Sequence, residues 1–80
     1  MKPINIVIWG FGAMGKGIAE MLLSKKGVII SGVCDVHPEL VGKGFLRFLD
    51  VETDHDDVLI NKDIDALLSP DVDVVYMATD

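Results

Sequence analysis

The stretch that decides the fold is Ile4–Gly27, INIVIWGFGAMGKGIAEMLLSKKG. Its first six residues, Ile4 to Trp9, are apolar apart from Asn5, as in a parallel strand covered on both faces. Pro3 precedes them, where a missing ladder donor does little harm. Four glycines then crowd together: Gly10, Gly12, Gly15 and Gly17. From Ala13 to Lys26 the period becomes helical. Met14, Ile18 and Leu22 form one stripe, and Gly15, Ala19 and Leu23 form its neighbour, small where a helix would lie closest to a sheet. Gly27, behind two lysines, is expected to end the helix.

Glycine loses more backbone entropy on folding than any other residue, so this cluster needs a cause. Gly10, Gly12 and Gly15 match G-x-G-x-x-G, a common pattern on its own. Here it follows a strand-like run, opens a helix-like run, and is followed by Asp35 at the tip of the next strand, Val28 to Cys34. In that setting Gly10 permits the turn, Gly12 admits a pyrophosphate, and Gly15 allows close helix packing. Backbone N–H groups from Phe11 to Met14 are expected to be free for the anion. Asp35 would accept hydrogen bonds from the adenosine ribose. Val36-His37-Pro38 supplies no arginine, so NAD is expected over NADP, with NADP possible if His37 or Lys43 assists. The plainer alternative is a tight strand-to-helix turn without a ligand. Gly17 lies outside the set, and close packing is the only role suggested for it.

After Asp35 the chain is less regular. His37-Pro38 begins a turn, Gly42-Lys43-Gly44 breaks the chain again, and FLRFL at 45–49 is a candidate short helix. DVETDHDD at 50–57 reads as a solvated acidic loop, with metal binding as the less favoured alternative. Val58 to Ile60 is a candidate third strand, and Lys62 to Leu68 a helix capped by Asn61 and stopped before Pro70. Val72 to Ala78 is another buried-type strand. The order β-α-β-(irregular)-β-α-β predicts an α/β fold, the first half of a doubly wound, Rossmann-like parallel sheet with helices on both faces. Ala78 and Thr79, at a strand end beside the first strand, either line the nicotinamide ribose or form an ordinary strand terminus. Cys34 and Trp9 are expected in the core. Phe11 lies over the cofactor or against a neighbouring loop, and His37 is either a turn residue or an adenine contact.

The 80 residues are half apolar and carry a net charge of −6. That charge argues against nucleic acid as a partner, and one cysteine excludes an internal disulfide. No apolar run reaches membrane-spanning length, so a reducing, cytoplasmic setting without a membrane partner is expected. Residues 1–80 read as the N-terminal part of a dinucleotide-binding domain. Because the chain stops at VVYMATD, just after a strand, it is expected to continue into a longer two-domain enzyme. No catalytic constellation can be assembled from these residues, and no metal site is expected.

IVIWGFGAMGKGIAEMLL, then GVCDVHPELVGK, then DIDALLSPDVDVVYMAT resemble the N-terminal domain of the 2,4-diaminopentanoate dehydrogenases, within the dihydrodipicolinate reductase N-terminal superfamily. The resemblance implies an NAD(P)-dependent oxidoreductase acting on the C–N bond of a small amino acid, by amine oxidation or imine reduction. It implies that Gly10, Phe11, Gly12, Ala13, Met14 and Gly15 hold the pyrophosphate, Asp35 the adenosine ribose, and Ala78 and Thr79 the nicotinamide side. The substrate would be met through a C-terminal domain absent here, in a homo-oligomer. The alternative from another class is a non-catalytic nucleotide-sensing module that regulates a transporter or enzyme.

Overall fold

The computed structural model describes residues 2–78. Strand β1, Ile4–Trp9, is the centre of a three-stranded parallel sheet, flanked by β2, Val28–Cys34, and β3, Val74–Met77. Helix α1, Ala13–Leu23, connects β1 to β2. A 3-10 helix, Phe45–Phe48, and the short α2, Ile64–Leu67, lie between β2 and β3.

Alternation along β1 divides the core. Ile6 and Ile8 face α1 and pack with Ala19, Leu22 and Phe11. Val7, also buried, points to the other face. There Gly32, the partner of Val7, leaves room for Leu67 of α2, whose Cδ2 lies 3.1 Å from where a Cβ at residue 32 would sit. One helix therefore covers each face of the sheet.

Register is corrected within β2. Ile6 pairs with Ile30 but Val7 pairs with Gly32, so Ser31 is an extra residue. This bulge places Ile30 and Val33, three residues apart, on the same α1-facing side. Without it the strand would turn Val33 to the opposite face. At the other edge, Asn5 fixes β3. Its N–H donates to the Asp73 carboxylate (2.8 Å), its side-chain amide donates to the Asp71 carbonyl (3.0 Å), and its carbonyl accepts from Asp73 N–H (2.8 Å). The one polar residue of β1 thus marks where β3 begins.

Several expectations are corrected. Helix α1 stops at Leu23 rather than Lys26, because the Ser24 hydroxyl turns back to donate to the Met21 carbonyl (2.6 Å). Its buried stripe is Gly15, Ala19 and Leu22, which rotates Met14 off the sheet and leaves it 54% exposed. Residues 58–60 form no strand of the sheet. They make isolated bridges, Gly44 with Leu59 and, beside them, Cys34 with Asn61. Helix α2 is shorter than expected and is capped by Asp63, whose carboxylate accepts from Asp65 N–H, rather than by Asn61. All four residues of β3 are exposed, since α1 and α2 pack on β1 and β2 rather than on this strand. Trp9 is 36% exposed on the face that only the four-residue α2 covers.

Gly17 is also corrected. It is exposed, and a Cβ there would meet nothing within 4 Å, so close packing is not its role. Gly17→Ala should raise stability by about 0.5–1 kcal/mol, the cost of glycine in a helix interior. The check is a higher denaturant midpoint with an unchanged slope. A lower midpoint would contradict the open environment at residue 17.

Candidate functional site

The site is built from the turn between β1 and α1 and from the tip of β2. Gly10 has φ 108°, a conformation that side chains disfavour, and its N–H donates to the Cys34 carbonyl (2.8 Å). That bond ties the end of β1 to the end of β2. A Cβ on Gly15 would run into the Gly10 carbonyl oxygen and lie 3.0 Å from its carbon. The two glycines interlock: the turn at Gly10 is possible only beside a helix with no side chain at residue 15. Ala78 completes the junction. Its N–H donates to the Trp9 carbonyl (2.8 Å), and its Cβ lies 3.6 Å from the Cβ position of Gly15. Ala78 is buried there, so its contribution is its small size and its place at the tip of β3. Thr79 lies outside the described residues.

The N–H groups of the turn differ from the expected Phe11–Met14 run at two positions, losing Phe11 and gaining Gly15. Phe11 N–H is taken, donating to Asp35 Oδ2 at 2.7 Å. Among the described residues, the N–H groups of Gly12, Ala13, Met14 and Gly15 have no hydrogen-bond acceptor, and the helix ladder begins with Lys16 N–H to the Gly12 carbonyl (2.9 Å). Gly12 is the N-cap and brings no side-chain acceptor to compete for them. Unpaired donors at the positive end of a helix dipole form an anion site. The Phe11 ring is fully buried, edge-on to Phe45 (6.2 Å) and Phe48 (6.3 Å). Of its two open places, Phe11 takes the one against a neighbouring segment.

Asp35 is committed on both oxygens, with Oδ1 accepting from His37 N–H at 2.9 Å. Partial burial pushes its carboxyl upward, but hydrogen bonds from the backbone of Phe11, His37 and Val36, with the nearby His37 ring, outweigh this and hold it below 3.8. A carboxylate has about four lone-pair sites, so acceptor capacity remains for a ligand hydroxyl. Two depressions flank it. One, of about 210 Å3, is lined by Phe11, Gly12, Lys16, His37, Glu39 and Leu40. The other, of about 120 Å3, is lined by Trp9, Gly10, Cys34, Asp35 and Val36.

His37 thus lines a cleft beside Asp35, whereas Lys43 lines neither and donates to the Glu39 carbonyl (2.7 Å). Lys16 is a cleft residue that lies outside both apolar stripes of the helix. Its Nζ stands 5.7 Å from the Phe48 ring centre, a cation–π distance that holds the charge near the glycine turn. The Cys34 thiol is buried and pushed up, first by burial and then by Asp35 and Asp63, which fits an inert filler. Among the described residues no three His, Cys, Asp or Glu side chains are grouped to hold a metal ion, and no helix is long and apolar enough to cross a membrane.

No protein-family model matches the chain. Over all 80 residues the chain is 35% identical to the N-terminal 23% of 2,4-diaminopentanoate dehydrogenase from Acetoanaerobium sticklandii. The chain therefore spans about a quarter of the length of that relative. The resemblance read from the residues holds along the whole chain, and the parallel sheet fits a Rossmann-like N-terminal domain.

The depressed Asp35 carboxyl makes stability depend on pH. Its contribution is complete above the unfolded value and is lost as pH falls through the lower folded value. Acid titration should therefore lower the denaturation midpoint below about pH 4, and Asp35→Asn should flatten that part of the curve. An identical curve for the variant would mean that the Phe11 and His37 hydrogen bonds contribute nothing to stability.

Proposed function

We propose that this chain is the nucleotide-binding part of an NAD-dependent oxidoreductase that acts on the C–N bond of a small amino acid. The observation that carries the proposal is the row of N–H groups from Gly12 to Gly15, which have no acceptor among the described residues, set beside the Asp35 carboxylate. A dinucleotide needs both: donors without side chains for its pyrophosphate, and an acceptor for its ribose hydroxyls. The dehydrogenase relative supports the choice of a redox enzyme over a nucleotide-sensing module, which would use the same cradle without chemistry.

In this reading each residue has a task. Gly12, Ala13, Met14 and Gly15 donate to the pyrophosphate, and Gly10 holds the turn that aims them. Asp35 accepts from the adenosine ribose while keeping Phe11 N–H in place, which couples ribose recognition to the shape of the phosphate loop. A fixed carboxylate at this point repels a 2′-phosphate, the basis for NAD over NADP. Lys16 places positive charge in the adjoining cleft, with the His37 ring beside it, and that is the route by which NADP would still be admitted. Ala78, which follows β3, and Thr79, the next residue in the sequence, are assigned to the nicotinamide side. When bound, the nicotinamide supplies the hydride acceptor or donor. The groups that bind the amine and move its protons come from outside these 80 residues, in a longer chain that acts as a homo-oligomer in the cytoplasm.

Calorimetric titration with NAD, NADP and S-adenosylmethionine tests this reading. NAD should bind tightest. Asp35→Ala should weaken both dinucleotides, because Phe11 N–H loses its acceptor, but it should shrink the preference for NAD by about tenfold, as expected for a charged hydrogen bond. Tightest binding of S-adenosylmethionine, or an unchanged ratio in the variant, would refute the assignment.

A further inference from the structure

The outer edge of β2 carries a hydrogen bond whose direction fixes a protonation state. β2 pairs with β1 along one edge only. Near its end the other edge is covered by Asn61, which donates to the Val33 carbonyl (2.9 Å) and accepts from Asp35 N–H (3.1 Å). Farther back, the N–H of buried Ile30 finds no strand and donates to the His55 ring at Nε2, 3.0 Å away. Only an unprotonated ring nitrogen can accept. The ring proton is therefore on Nδ1, 2.6 Å from the Asp56 carbonyl oxygen, to which it donates. His55 is neutral, in one tautomer, with both nitrogens engaged.

We propose that His55 is a pH-operated latch holding the acidic loop, residues 50–57, on the edge of β2. When the ring takes up a proton, Nε2 becomes a donor and faces the Ile30 N–H, a second donor. The acceptor vanishes, and a buried N–H without a partner is costly enough to favour release. The groups around the ring reinforce this direction. β2 presents Ile29, Ile30 and Ser31, and the 3-10 helix presents the Phe45 ring, edge-on at 6.0 Å; none of these carries charge. The loop itself presents Asp54 and Asp56, which line the same cavity of about 400 Å3 and favour an imidazolium that has turned away from β2.

The latch is connected to the glycine turn by packing. Asp57, in the same loop, accepts from Leu46 N–H (3.1 Å) and so holds the start of the 3-10 helix. Phe45 and Phe48 of that helix hold the ring of Phe11, whose N–H rests on Asp35. The latch itself stands on the His55 geometry and is independent of which nucleotide, if any, the turn binds.

Amide hydrogen exchange at about pH 8 and about pH 5, corrected for intrinsic rates, tests the latch together with the imidazole nitrogen shifts. At the higher pH the ring should show the Nδ1–H tautomer. On acidification the protection of Ile30 should fall by about tenfold relative to the amides of β1. In His55→Gln, whose amide oxygen can accept without titrating, that fall should be absent. An Nε2–H tautomer, constant protection of Ile30, or an equal fall in the variant would overturn the proposal. If the variant does not fold, the tautomer and the wild-type protection decide it.

Discussion

Residue 15 cannot carry a side chain while Gly10 turns the chain out of β1, because a Cβ there would meet the Gly10 carbonyl. The rest of the junction depends on this contact. It lets α1 start hard against the end of the central strand, with Gly12 as a cap that offers no acceptor of its own. The first N–H groups of the helix consequently have no acceptor among the described residues, at the carboxyl end of β1 beside β2 and β3. Such a junction gives up packing and backbone entropy for an unfilled row of donors.

Asp35 links that row to the neighbouring strand. By accepting from Phe11 N–H it removes one donor from the expected set and fixes the loop through the other side of the same peptide segment. Phe11 is held twice, by its N–H on Asp35 and by its ring among Phe45 and Phe48. The irregular middle of the chain is thereby part of the site's support. Asp57 and His55, in a segment that reads as mere solvated acid, reach the 3-10 helix and the open edge of β2.

The parts of the fold legible in sequence are those fixed by local pattern. β1 and β2 have the expected limits because runs such as INIVIW and VIISGVC allow little else. The interlock of Gly10 and Gly15 is also legible, since the spacing of the glycines carries it. What remained hidden depends on partners far along the chain. Nothing in VIISGVC announces that Ser31 is bulged, because the reason is the alignment of Ile30 and Val33 with β1. The length of apolar VDVVYMA says nothing of whether other elements cover it, and β3 lies at an edge. Phe11 had two plausible environments, and only the distant FLRF segment decides between them. Helical period puts Lys16 off both apolar stripes, yet a long side chain at the first turn reaches the cleft.

The most direct measurement is amide shift mapping of the chain as NAD is added. The amides of Gly12, Ala13, Met14 and Gly15 should show the largest changes, with Phe11 and Asp35 next, while amides around Ile30 and His55 stay nearly fixed. Saturable binding whose changes cluster away from residues 10–15, or no saturable binding at all, would contradict the assignment of this turn as a dinucleotide cradle.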